Sequence, residues 1–565
     1  MLIHSFILFF SLALQEPSQV SGAYRGPVDE AQLALLSQDF VENSAFARWQ
    51  FWFENERDRI IRGEADFSGD AINEFGQYGD SEWHLDRNQL VLSSLPVLLE
   101  ASVSRDSAVR EAAILSLGRI AYPASDSYVI EATKDRASNV RQAAFIALGM
   151  IGTDPALNEL LRNFKANKDI AMRSFAAFGL GLSGRVEAAA ELNNYLGQAL
   201  KRKSWSKESD LILSVLVAAK MNRRVDYTSN LLKICTAFNK KSVSPTMVYA
   251  AMDALASTNN SRSIGFLVEN LFSRKEEVSI ACIRALGESA STLAVDSIIK
   301  LFNSTNSSRI KGESYLALAN IGDSKSVAFL AKFSPGRFEE EYVQTSWMLA
   351  SGIAKVAANY SRIADTVVFG SDFNKHDEAK ASRGGECNLR GAAALALGFY
   401  EAPAARVQLE KCLKAENTSG ELRAYVATAL GMLRTDAAAQ ILLKYADLFN
   451  ESEQARRGFA AALGMCANPQ TNSKLTELLI EDDSATVRWA SAHAMASTRD
   501  QSSMTKIVEK VQESLNSHND YQSVAHMVLG LGYLGDTNSG ATLESMAASL
   551  DYGQDNALLT CLKSY

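Results

Sequence analysis

The stretch that decides the fold is Val-Arg-Gln-Ala-Ala-Phe-Ile-Ala-Leu-Gly, residues 140–149. Val140, Ala143, Ala144, Ala147 and Leu148 fall at helical spacing, so they form one apolar face of a short helix. Small side chains on that face let a neighbouring helix approach closely. The same pattern stands one period earlier as Val109-Arg110-Glu111-Ala112-Ala113 through Leu117-Gly118. It stands again as Leu389-Arg390-Gly391-Ala392-Ala393 through Leu397-Gly398. Looser copies end at Gly181, Lys220, Ala256, Gly287, Ala319, Gly352, Gly431, Gly464, Ala496 and Gly530. Thirteen copies at a near-constant step of about 32 residues define a repeat protein, not a set of separate globular domains.

Each copy reads as helix–turn–helix. The glycine closing the pattern is expected to supply the left-handed backbone position that stops the first helix. Pro123, Pro155, Pro403 and Pro469 follow five or six residues later, where a second helix should begin. Second helices read from runs such as Leu157 to Leu161 and Ile441 to Leu443. Asp106, Asp135 and Asp483 precede first helices and are placed to cap them. The repeated arginine is expected to reach an aspartate or a carbonyl of the adjacent unit, as structural cement.

With its V-R-x-A-A-x-x-A-L-G core, the unit resembles the HEAT repeat, and more narrowly the short phycobilisome-lyase-type HEAT-like repeat, from about Leu90 to Ser549. The resemblance implies an all-α fold, an α-α superhelix (solenoid) of about thirteen repeats, whose second helices line a concave binding face. Scaffolds and a few enzymes share such repeats, so it leaves function open. The W-x-x-W-F-E-N stretch at Trp49 to Asn55 looks like one that precedes HEAT-like repeats in some exported bacterial proteins.

The chain divides accordingly. Residues 1–23 read as a secretory leader, with the apolar run Leu2 to Leu14 too short to span a bilayer and a small-x-small site at Ser21-Gly22-Ala23. Residues 24–87 form an N-terminal region. Its part from Asp29 to Arg87 holds fourteen acids against five arginines, and a dense aromatic run surrounds Trp49 and Trp52. That region is expected to cap the first repeat, with an aromatic ligand platform as the alternative. Residues 88–565 are the repeat solenoid, with an insertion loop at 359–387, where one step lengthens to 46 residues.

Departures from the period mark the binding candidates. Between Tyr195 and Lys241 there are ten Lys/Arg against three acids, in a chain whose net charge is −8. Lys201, Arg202, Lys203, Lys207, Arg223 and Arg224 are therefore candidate partner contacts, together with His376 in the insertion and Trp49 and Trp52 in the N-terminal region. The alternative for each is an ordinary solvated loop or a capping role.

Little points to chemistry. The six cysteines show no paired spacing, which removes zinc, haem-attachment and thioredoxin-like motifs, although Cys387 pairing with Cys412 stays open. No HExxH occurs, and no His-Glu dipeptide of the kind used by the iron-holding hydroxylase of this repeat class. His493 and His526 occupy corresponding stretches of adjacent repeats, a conceivable metal pair against the plainer reading as core or surface residues. The expectation is an exported, non-enzymatic scaffold with no cofactor and no transmembrane helix. Its partner would be a protein or a polyanionic polymer, and nucleic acid is not expected. An enzyme or lyase subunit with a groove site, and a cytoplasmic binder of nucleic acid or an acidic partner, are the alternatives.

Overall fold

The computed structural model describes residues 87–536, apart from 202–207, 241–244, 337–338, 371–383, 417, 499 and 518–519. Among the described residues there is no strand, and the α-helices follow in this order. They are α1 (Arg87–Ala101), α2 (Ser107–Ile120), α3 (Asp126–Ala132), α4 (Ser138–Ile151), α5 (Asp154–Ala166), α6 (Ile170–Leu182), α7 (Val186–Ala199), α8 (Ser209–Met221) and α9 (Thr228–Lys240). Next come α10 (Pro245–Ser257), α11 (Ser261–Asn270), α12 (Glu276–Glu288), α13 (Val295–Ser304), α14 (Ser308–Ile321), α15 (Ser324–Lys332), α16 (Glu341–Ile353) and α17 (Tyr360–Phe369). The last are α18 (Gly384–Tyr400), α19 (Ala405–Lys414), α20 (Gly420–Met432), α21 (Asp436–Lys444), α22 (Glu453–Cys466), α23 (Pro469–Glu481), α24 (Ala485–Ala494), α25 (Gln501–Ser517) and α26 (Tyr521–Leu534).

The even-numbered helices are the thirteen first helices foreseen from the period. Each packs on the next, and α26 packs on α2, so the series has no free end. The solenoid closes into a ring. The two layers hold equal numbers of helices, so the layer with the closer spacing lies at the smaller radius. First helices pack against one another much more tightly than second helices do, and they form the inner layer. This reverses the expectation that second helices line the concave side. The cause is the small-residue stripe. A Cβ added at Gly149 would lie 2.4 Å from the Gly179 carbonyl oxygen, and one at Gly431 would lie 2.7 Å from Ala462 Cα. In α4 the run Ala143 to Met150 is buried without a break, and in α8 so is Leu211 to Ala219. Helices apolar on all sides belong inside.

The pattern's glycine thus serves helix contact and does not end the helix. The left-handed residue falls three positions later, at Ala121, Gly152, Asn259, Ala290, Gly322, Lys355, Glu401, Arg434 and Ala467. Second helices then start as foreseen at Pro469, first residue of α23, and at Pro155, in the first turn of α5. Pro123 opens a 3-10 turn leading into α3, and Pro403 lies two residues ahead of α19.

Closure uses the same register as the internal contacts. Each pattern glycine faces the residue two positions before its counterpart in the next repeat, as Gly118 faces Ala147 and Gly464 faces Ala494. Across the seam Gly532 faces Ser116, two before Gly118. The counterpart in the last repeat is therefore Gly532, not Gly530. The outer layer is completed from the other terminus: α1 lies beside α25 and packs on both α26 and α2. Twelve units are continuous hairpins, and the thirteenth joins α26 from the C-terminal side to α1 from the N-terminal side.

The long step of 46 residues is less of a loop than expected. Tyr360–Phe369 is the outer helix α17, and Gly384 to Cys387 belong to α18. Apolar residues at Ile363, Ala364 and Val367 bury one side of α17 as in any other unit. His376 lies outside the described residues, as do the leader and the whole 24–86 region with Trp49 and Trp52.

Candidate functional site

First helices run from one edge of the ring to the other and second helices return, so residues close in sequence can sit on opposite edges. The basic stretch shows this. Arg224 Nε donates to the Gly184 carbonyl at 3.1 Å, which places it beside the start of α7. Exposed Lys201 follows the end of α7, whose fourteen residues span about 20 Å at 1.5 Å per residue. Lys201 and the Arg223–Arg224 pair therefore do not form one patch. Arg202, Lys203 and Lys207 lie outside the described residues.

Acids also meet the cations in and next to this stretch. Arg185 pairs with Asp154 at 2.7 Å and lies 3.6 Å from Glu187. Lys220, on α8, reaches Glu288 of α12 at 2.6 Å and lies 3.9 Å from Asp253 of α10. Burial works against the Lys220 charge, but Glu288 and Asp253 outweigh it and hold its pKa above the usual lysine range. A bridge from α8 to α12, across the intervening helix, is reachable only on the tightly curved inner side.

A second polar group continues along the inner layer. Arg284 Nε donates to Glu313 Oε2 at 2.8 Å, and Tyr342 donates to the other carboxylate oxygen at 2.7 Å. The Arg284 guanidinium stands 5.2 Å from the Tyr249 ring centre. Burial pushes the Tyr342 phenol well above its usual range, and the Glu313 charge adds to this. The guanidinium is held ionised by Glu313 against its own burial.

The third group lies at the seam and is assembled from both ends of the chain. The Trp489 and His493 rings stack at 5.7 Å, and His493 meets Tyr533 edge-on at 5.0 Å. Arg119 lies over the Tyr533 ring at 3.9 Å, donates to the Tyr533 hydroxyl at 3.0 Å and pairs with Asp536 at 2.8 Å. Both partners of that ion pair are 4% exposed. The Ser116 hydroxyl donates to the Val528 carbonyl at 2.9 Å. Nothing in the sequence pointed here, because the contacts span more than 400 positions. The legible signal was the pattern itself: Gly532 meets Ser116 in the register by which Gly118 meets Ala147.

The repeated arginine does what its position implied. Arg110 takes Asp135 through Nε at 2.8 Å and the Ser104 carbonyl through Nη1 at 2.9 Å. Arg141 and Arg488 likewise donate to carbonyls of the preceding turn, at 2.7 and 2.6 Å. Asp106 caps α2 through the amides of Ala108 and Val109. Asp135 instead receives Arg110 and the Ala137 amide. Near α24 the side chain that accepts an amide is Asp482, not Asp483.

Other reactive side chains are withdrawn from solvent. Cys412 is a buried thiol contacted by Arg390 at 3.3 Å, and the Cys387 side chain lies outside the described residues. Burial raises the thiols of Cys235 and Cys282 far above the ordinary range and that of Cys466 to about 12, which disfavours thiolate chemistry there. His526 is pushed down to about 3 by burial and by Arg488. Among the described residues no three His, Cys, Asp or Glu side chains converge on a metal position. A shallow cleft of about 300 Å³ opens between the 3-10 turn Ala446–Glu451 and α23. Its Arg456 is held by Asp482 and its Lys474 by Glu477.

Residues 95–181 match the family model described as HEAT repeats. No curated protein matches the chain. Among solved structures, the CpcE–CpcF complex of phycocyanin lyase from Nostoc sp. PCC7120 is similar at 19% identity. The match covers 41% of this chain and 90% of that one, with a TM-score of 0.29. Human deoxyhypusine hydroxylase is similar at 18% identity over 47% of this chain and 96% of that one, with a TM-score of 0.22. A Kap121p mutant is similar at 12% identity over 92% of this chain and 67% of that one, with a TM-score of 0.37.

Proposed function

We propose that this chain, a HEAT-repeat protein whose units close on themselves, is a non-enzymatic scaffold that holds a protein partner against the surface of its ring. The observation that supports this most is the use already made of its polar groups. The repeated arginines, the Arg284–Glu313–Tyr342 group and the seam cluster are all committed to joining one unit to the next. What is left for a partner is the outer surface and the two edges, where loops carry exposed side chains such as Lys201 and Arg223. Many modest contacts over such a surface give affinity without a deep pocket. A polyanionic polymer is the second occupant of the same basic edges, and nucleic acid is disfavoured by the net charge of −8. A site for catalysis as an enzyme or lyase subunit is the competing reading.

We place the protein outside the cytoplasm, on the leader-like residues 1–23. Among the described residues no helix is long and apolar enough to cross a membrane. N-terminal sequencing of the mature protein should start at Tyr24, and an intact Met1 contradicts export. Co-purification from the native host should then be compared between wild type and two edge variants. One is Lys201→Glu with Arg202→Glu and Lys203→Glu, and the other is Arg223→Glu with Arg224→Glu. Loss of one defined partner in one variant only is the expected result. Equal capture in all three removes the basic edges from the account, and turnover or stoichiometric metal in the purified protein favours the enzyme.

A further inference from the structure

We propose that the seam between α26 and the α1–α2 pair is a reversible clasp, so that the protein alternates between a closed ring and an open arc. Twelve of the thirteen inner contacts join helices separated by one short second helix, so the chain itself holds the partners at high effective concentration. Among the described residues the seam alone joins positions more than 400 apart, without such a tether. Its groups also suit repeated opening. When closed, Arg119 is buried and bonded to both Asp536 and Tyr533, and buried Ser116 donates to the Val528 carbonyl; each of these groups is readily hydrated when the faces part. At the α20–α22 contact, by comparison, the pattern glycine Gly431 meets Ala462 and the Met465 methyl, apolar groups whose exposure would be costly.

The outer half of the clasp is equally suited to release. Helix α1 carries Pro96 in its interior and leaves Leu92 66% exposed. A proline there removes one backbone donor and weakens the helix that bridges α25 and α2. Undocking of α1 together with α26 would uncover the inner-layer faces of α2 and α26 as a pair of complementary surfaces. A second copy of the chain could fill those surfaces by setting its own α26 on α2 and its α2 on α26, which makes a dimer of two opened arcs one visible product of an opening clasp.

Hydrogen exchange on the full-length protein tests this. Amides of α1, α2 and α26 should exchange at least about tenfold faster than those of α20 and α22, because opening of the seam is their cheapest route to solvent. Fraying of chain ends alone would give fast exchange too, so a coupled readout is needed. Asp536→Asn should accelerate exchange in α2, although α2 lies more than 400 residues away in sequence. The paired apolar replacement Arg119→Met with Asp536→Leu should slow α1, α2 and α26 together. Protection of α2 and α26 equal to that of α20 and α22 in wild type overturns the clasp. So does exchange in α2 that ignores both variants. Should Asp536→Asn fail to fold, the wild-type comparison and the apolar pair still decide.

Discussion

At the scale of single residues, the most informative group is His526. It sits 3% exposed within α26, and burial with the nearby Arg488 charge holds its pKa near 3, against an ordinary value of 6.5. The folded protein therefore carries a neutral imidazole where the unfolded chain takes up a proton. Stability is complete above about pH 6.5 and falls as pH drops from there toward 3, by up to about 1.4 kcal/mol per pH unit for this one group. Denaturant midpoints measured between pH 7 and 4 should show that slope, and His526→Leu should flatten part of it. A slope unchanged by the substitution would remove His526 as its source. This residue was visible in the sequence only as half of a conceivable metal pair with His493. The structure instead packs His493 between Trp489, face to face, and Tyr533, edge-on. A histidine's environment is set by which helices surround it, and periodicity alone does not specify the side chains those helices bring to it.

At the scale of the helix, two glycines three residues apart in one repeat do different work. Gly149 is within α4, where a Cβ would collide with the backbone of Gly179 at 2.4–2.9 Å. Gly152 follows α4 at φ 68°, where a Cβ would make only ordinary contacts, 3.6 Å from the Ser183 carbonyl oxygen. Gly149→Ala should therefore push two helices apart and cost about 2–3 kcal/mol, as overpacking of a rigid contact does. Gly152→Ala only places an alanine in the left-handed region and should cost about 1 kcal/mol. Ala467, at the equivalent position with φ 45°, shows that the fold tolerates this. Thermal or urea unfolding of the two variants checks the order, and equal losses would contradict it.

The period, the helix pairs and the role of the repeated arginine were all legible, because they repeat at fixed spacing in the sequence. The function of the pattern glycine was not. A glycine after an apolar run reads as a helix stop, and only the neighbouring helix shows that the chain continues for another turn. The spread of the basic stretch over two edges was hidden for a similar reason. Charges add along a sequence, but the up-and-down path of the helices puts Lys201 and Arg224 on opposite edges. It also brings Asp253 and Glu288 to Lys220.

At the scale of the molecule, closure follows from the difference between the two layers. Glycine and alanine bring inner helices together, while outer helices with full-sized side chains stand further apart, and each unit becomes a wedge. Thirteen wedges complete a turn if each rotates by about 28°, a modest curvature for a stacked repeat. Bringing together residues 412 apart costs on the order of 5 kcal/mol for a flexible chain. A prestacked arc carries less of that cost, since its own units already hold the ends near each other. Against it stand a full inner-helix contact, the buried Arg119–Asp536 pair and the docking of α1 on α25 and α2. The sequence contained the repeat number but not the curvature, which depends on side-chain volumes summed over both layers.

The most direct test of the closed ring is a distance across the seam. Leu92 on α1 and Glu509 on α25 are exposed and lie on neighbouring outer helices, in a chain where they are more than 400 residues apart. Spin labels at Leu92→Cys and Glu509→Cys, with the native cysteines replaced, should report a main distance of about 10–25 Å, as for adjacent helices with axes 8–10 Å apart. A single distribution centred at several tens of ångströms would mean an open superhelix, and would contradict the ring.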